Sequence, residues 1–366
     1  VLGRSGWGDP QRPFEQHSHY SIRYGNHTSS HQHEDRGSLT FFTGGQDWLT
    51  DPGSYMYEPR DPFRKYLRSR NSHNLVTVDD REYVSNHRVW LKACTTSEIA
   101  HDFTVVDSGY ENTLITRRVV YLPVLDLLVV MDVVSSDSAV TARQRWHTEP
   151  GIKPRYRDSA LELQKGDGSR LTVRWLGEAS RPKVRYGDDT STREWVSRKW
   201  GQKEPAAGFE VSGNGKTVFF ACVFGSSTDD AWSVVSSRAK HESTWLRLSR
   251  WGRIWNVTID DQGVRVNEDE NFPASNRRST TAENATLAIA LAGLQQRVGE
   301  LEQDALLATA RAAEANESST EAMESLATSN HRVKELEQAL TEDRENRKRR
   351  IASLLALLPE GADPHA

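Results

Sequence analysis

The chain has 366 residues, 36% hydrophobic and 27% charged, enough for one large domain or two ordinary ones. Its net charge is −4, which excludes a generally basic nucleic-acid binder, because neutralising phosphates needs a Lys and Arg excess. No apolar run of about 18 residues exists to span a membrane. No signal-peptide pattern follows Val1, and two cysteines, Cys94 and Cys222, cannot build a disulfide scaffold.

The first part of the chain, residues 1–273, reads as β-structure. Short runs rich in β-branched and aromatic residues recur, among them Leu39–Phe42, Leu75–Val78, Thr116–Tyr121, Leu171–Trp175, Thr217–Phe224 and Trp255–Ile259. Turn signals such as Asp51-Pro52-Gly53, Gly166-Asp167-Gly168 and Gly213-Asn214-Gly215 separate them. All 11 tryptophans lie here. The fold class that follows is mainly β, a large antiparallel β-sandwich.

Histidines cluster near the start, with five of the 12 between His17 and His33. The informative unit is His31-Gln32-His33-Glu34-Asp35. In an extended segment residues i and i+2 share a face, so His31 and His33 would sit side by side. Asp51 follows 18 residues after His33, a distance that suits a strand, a turn and a return strand. His73 lies just before the strand-like Leu75–Val78. Two imidazoles and a carboxylate, His33, Asp51 and His73, would make a three-ligand site suited to Zn²⁺, with Asp35 and Asn74 available behind it. An H-x-H pair is more often a pair of surface or core histidines, so the pattern alone is weak. A cupin is the competing H-x-H sandwich, but it needs a Glu a few residues on, and Gly37 and Ser38 stand there instead.

Trp48 and Trp90 are the tryptophans nearest these motifs. They could line a sugar subsite, but large aromatics mostly fill cores.

Beyond Asn271-Phe272-Pro273 the grain changes. Residues 274–286 read as a linker, and residues 287–358 as a long helix or coiled coil. Leu287, Leu291, Leu294, Val298 and Leu301 begin a heptad stripe that continues through Ala and Ser to Leu326, Val333, Leu336 and Leu340. The stripe implies a homo-oligomer; a solvated single helix is its plain rival. Pro359 and Gly361 stop it, leaving 359–366 as a disordered tail. The basic run Arg344–Arg350 complements a helix C-terminus rather than binding nucleic acid.

Taken together, four ordered motifs resemble the heparinase II/III-like family of polysaccharide lyases. They are Gly3-Arg4-Ser5-Gly6-Trp7, His31-x-His33-x-Asp35, Asp51-Pro52-Gly53-x-Tyr55-x-Tyr57, and Arg68-Ser69 leading to His73-Asn74-Leu75-Val76-Thr77-Val78-Asp79. The resemblance covers residues 1 to 100 strongly; the coiled-coil tail is outside the family pattern.

Family members place an (α/α) toroid before the sandwich, and the resemblance implies a chain that starts at the sandwich, without that toroid. The resemblance implies a lyase domain that cleaves uronate-containing glycans by β-elimination, needing the toroid for activity. It matches His33, Asp51 and His73 to the family's zinc ligands and His31 to the histidine beside them. Tyr57 and Tyr66 are candidate acid/base tyrosines, and Arg68 and Arg70 candidate substrate-binding cations. An arginine salt-bridged at a strand edge is an equal reading of either. The expected partner is an acidic polysaccharide, and the expected location the cell envelope, periplasmic or secreted. The alternative is a non-catalytic glycan- or protein-binding module clustered by the coiled coil.

Overall fold

The strand Leu127–His147 shows how this chain folds. Its run Leu127 to Met131 is continuously apolar and buried. Successive side chains on a strand point to opposite faces, so the run feeds two cores at once. Leu128, Val130 and Trp146 enter one core; Leu127, Val129 and Met131 enter the other. Its neighbours split likewise. Val119 and Tyr121 face the first core and Val120 and Leu122 the second, while Cys222 and Phe224 oppose Ala221 and Val223. Each fully buried Val, Leu, Phe or Met among them contributes roughly 1.5–3 kcal/mol.

A computed structural model describes residues 1–8, 12–26, 31–85, 87–177, 181–226, 232–269 and residue 338. A ten-stranded antiparallel sheet forms the middle layer. Its order is Lys153–Arg157, Ala160–Gln164, Arg170–Trp175, Ala207–Ser226, Leu127–His147, Thr113–Leu122, His101–Tyr110 and Val89–Thr96. Lys183–Tyr186 adds to Ala207–Ser226, and Val76–Val78 adds to Leu127–His147. A four-stranded sheet, Leu2–Arg4, His19–Ile22, Leu39–Thr43 and Gln46–Leu49, covers the first core through Tyr20, Ile22, Leu39, Phe41 and Trp48. A second four-stranded sheet, Ser233–Ala239, Thr244–Arg250, Arg253–Asp260 and Gly263–Glu268, covers the other through Leu246, Leu248, Val257 and Ile259. The sandwich thus has three layers, and the expected antiparallel β architecture holds.

Two local features position the site. Gly44 and Gly45, at φ +59° and +73°, make the two-residue hairpin between Leu39–Thr43 and Gln46–Leu49. The strand and return strand expected between His33 and Asp51 are therefore present. The helix Pro62–Arg68 starts where Asp61 accepts the Arg64 N–H at 2.8 Å and Pro62 takes the first turn.

The expected long C-terminal helix or coiled coil is corrected. Among the described residues only Pro62–Arg68 is a helix of seven or more residues, and the stretch 287–358, residue 338 apart, lies outside them. Heptad spacing states a register only. Between Ala305 and Ser319 the stripe is Ala and Ser, which offer little apolar area to a seam. Residues 1–274 form one compact unit; a second, 275–366, falls almost wholly outside the described residues.

Candidate metal and catalytic site

His33, Asp51 and His73 come together at the seam between the first four-stranded sheet and the ten-stranded sheet. One ligand atom from each lies within 4.8 Å of the others. His73 Nε2 is 3.4 Å from both Asp51 Oδ2 and His33 Nδ1. A tetrahedral metal bound at about 2.0–2.1 Å spaces its ligand atoms by about 3.3–3.4 Å, so the observed spacing fits such an ion.

Local structure aims each group. Asp51 opens a tight turn in which Gly53 N–H donates to Asp51 Oδ1 at 2.8 Å, leaving Oδ2 for the site. His73 follows the 3₁₀ turn Arg70–Ser72 and is buried. Its Nδ1 lies 2.7 Å from the Ser69 carbonyl, so Nδ1 carries the proton and Nε2 presents its lone pair. Burial, then the nearby His73, lowers the His33 pKa and keeps its imidazole neutral, the form that ligates a metal. Burial alone would raise the Asp51 carboxyl; while no metal is bound, a proton on His73 Nε2, then the Gly53 N–H, outweigh burial and hold the group ionised, and a metal would take the place of that proton. The donor set fits a divalent cation.

His31 and His33 do not lie on a strand. Residues 31–38 form a loop, and the two rings take different surroundings. His31 is exposed and meets Tyr57 edge-on, centroids 5.5 Å apart. His33 faces His73. Arg68 holds this loop from outside: its Nη2 donates to the Gln32 carbonyl at 2.7 Å, and its own carbonyl accepts Glu34 N–H at 2.9 Å.

Arg70 takes a different place from the one expected. It is buried, pairs with Asp107 at 2.9 Å, donates to the carbonyls of Arg36 and Val76, and lies over the Tyr83 ring. The salt-bridged reading describes it, and no face is left for a substrate anion. Tyr66 is half-buried. Its hydroxyl accepts Glu194 N–H at 3.3 Å and donates to the Asn71 carbonyl at 3.4 Å. Burial, then the Glu194 charge, raises its pKa. Tyr57 is exposed beside His31.

Trp48 is a core residue; Trp90 is half-buried on Val89–Thr96. Asp35 pairs with Arg23 at 3.4 Å. Asn74 is buried and bonds backbone rather than ligand rings, so the partners behind His73 are Ser69 and Ser72.

Two residues without a sequence signal join the site. His147 ends the long strand Leu127–His147 and is buried, with neither ring nitrogen hydrogen-bonded. Burial, then His73, lowers its pKa to about 3. Glu194, at φ +61°, places a carboxylate oxygen 3.6 Å from His147 Nε2, and burial raises its pKa to about 7. His147 and Glu194 line a small cavity with His73, Asn71 and the arginines Arg145 and Arg185. They are 47 residues apart in the chain, and no local motif links them.

The heparinase II/III-like, C-terminal family matches residues 16–321. The chain belongs to that heparinase II/III-like family. The match extends past residue 287, so part of the segment first set outside the family pattern lies within it. Among solved structures, the heparan sulfate lyase HepC from Pedobacter heparinus is similar at TM-score 0.58 and 15% identity, over 73% of this chain and 40% of that one. A mutant of the same lyase gives TM-score 0.59 at 16% identity, over 70% and 41%. The Heparinase III-BT4657 gene product gives 0.57 at 16%, over 71% and 40%. The chain thus spans about two fifths of the length of these heparinase-like structures, and at such identity the likeness is one of fold. No curated protein matches it. Among the described residues, no helix is long and apolar enough to cross a membrane.

Proposed function

We propose that this chain is the sandwich part of a polysaccharide lyase that cleaves uronate-containing glycans by β-elimination, with zinc held by His33, Asp51 and His73. The observation that supports it most is the convergence of those three groups beside an exposed His31 and Tyr57, in a chain of the heparinase II/III-like family. Bound zinc would supply positive charge and tie the loop 31–38 to the Asp51 turn.

The remaining work falls to side chains. A base removes the proton at C5 of the uronate, and an acid protonates the 4-linked oxygen as the C4–O bond breaks. The C5 proton is acidic only when the neighbouring carboxylate is neutralised. His31 is exposed and able to meet that carboxylate or take the proton. Tyr57 stands next to it, whereas the half-buried Tyr66 has its hydroxyl engaged by the Asn71 carbonyl and the Glu194 N–H, so Tyr57 is the better acid/base tyrosine. A glycan substrate of this kind places the protein in the cell envelope, periplasmic or secreted.

The test is the ultraviolet absorbance of the unsaturated uronate product. Zinc-loaded protein, with the family's (α/α) toroid supplied in cis or in trans, is incubated with heparan sulfate, heparin and alginate. Absorbance should grow with at least one of them and fall at least 100-fold in rate in His31→Ala. No growth with any of them contradicts the lyase reading.

A further inference from the structure

Two large aromatic side chains beside the site are exposed yet in contact. Tyr57 is 61% and Trp200 59% accessible, and their ring centroids lie 4.6 Å apart at 55°. Tyr57 also meets the edge of His31. Large aromatics normally find cover, so a touching, uncovered pair next to a candidate catalytic histidine points to a ligand.

The pair is held in place. Ser197 N–H donates to the Pro52 carbonyl at 2.7 Å, and Gly201 N–H to the Tyr55 carbonyl at 2.8 Å. These two bonds bracket Trp200 and fasten its segment to the turn that carries Asp51 and Tyr57. Trp195, five residues earlier, is buried and packs edge-on against Phe63 at 5.6 Å. One tryptophan of the segment therefore anchors it, and the other is left facing out.

We propose that Trp200, with the ring of Tyr57, forms a stacking subsite that seats one pyranose ring of an acidic glycan next to His31. This rests on the lyase reading above. A pyranose presents a face of C–H bonds that packs on an aromatic face, while its hydroxyls and carboxylate stay at the rim. Two rings tilted by 55° form an open angle rather than a closed stack. Their chain neighbours Glu58, Arg60, Arg198, Lys199 and Gln202 are polar, which suits a sugar with a wet rim better than an apolar protein face.

The experiment is calorimetric titration of the zinc-loaded chain with size-defined oligosaccharides cut from heparan sulfate and from alginate. Trp200→Ala should weaken binding of the preferred oligosaccharide about tenfold, and Trp200→Phe by no more than about threefold. Zinc content and melting temperature should stay at the wild-type values in both. Equal affinity in wild type and Trp200→Ala overturns the subsite and leaves the lyase reading intact. A fall in melting temperature or zinc content matching the loss of affinity also overturns it, because the ring is then structural. If the wild type binds neither oligosaccharide, the subsite and the reading beneath it fall together.

Discussion

The side-chain amide of Asn74 donates to the carbonyl of Thr50 at 3.1 Å, joining the residue after one candidate ligand, His73, to the residue before another, Asp51. The same amide donates to the Leu39 carbonyl at 2.7 Å, and its oxygen accepts His147 N–H. One buried side chain thus stitches both sheets together behind the site. Asn74→Ala should cost about 3 kcal/mol, since it leaves several buried backbone groups unpaired. Denaturant unfolding measures this. A change below about 0.5 kcal/mol would show that the seam is held elsewhere.

Gly53 makes a separate prediction. It sits at φ +77°, and a Cβ there would collide with the Ser197 carbonyl. Gly53→Ala should strain the turn by about 1–3 kcal/mol and move Asp51 out of register with His73. Metal affinity, followed by competition with a chelator, should fall while the circular dichroism of the sandwich persists. Affinity equal to wild type would mean the turn adapts.

For Arg70, stability and glycan binding should separate. Breaking its buried pair leaves Asp107 without its cation, which costs about 3–5 kcal/mol. Arg70→Ala should therefore melt far below the wild type. Wild-type stability combined with lost glycan binding would restore Arg70 to the substrate.

His147 and Glu194 should pull stability in opposite directions with pH. Glu194 titrates near 7 when folded against 4.5 ordinarily, so its contribution is present at low pH and is lost as pH rises from 4.5 through 7. His147 titrates near 3 against 6.5, so the fold gains stability as pH rises from 3 to 6.5. In metal-free protein, the stability of Glu194→Gln relative to wild type should increase by about 1.4 kcal/mol per pH unit between the two Glu194 values. His147→Gln should show the reverse trend across the His147 window. Unfolding free energies at a series of pH values decide it, and a pH-independent difference contradicts the burial argument.

Much of the site was legible in the chain. The spacing from His33 to Asp51 does encode a hairpin, closed by Gly44-Gly45, and His73 does precede a strand. Local pattern reached no further than that. His147 and Glu194 enter through the long pairing of Leu127–His147 with Ala207–Ser226 and through one residue, Glu194 itself, at positive φ, neither of which leaves a periodic trace. The same holds for the bidentate pair of Arg117 and Asp132, at 2.7 and 2.8 Å. Arg117 also donates to the carbonyls of Gly37 and Asn74, and so carries both histidine loops. Trp200, rather than Trp48 or Trp90, is the exposed tryptophan that reaches Tyr57, because a turn 149 residues after Asp51 folds back on it, while the buried Trp146 lines the cavity of His73 and His147. At the other end, the heptads were a clear local pattern that the described fold does not support as a coiled coil.

The central claim is that His33, Asp51 and His73 hold one zinc ion. Elemental analysis of the purified protein, beside His73→Ala, tests it directly. The account predicts about one zinc per chain in the wild type and none in the variant. A wild type without bound zinc, or a His73→Ala protein that keeps it in full, would contradict the assignment.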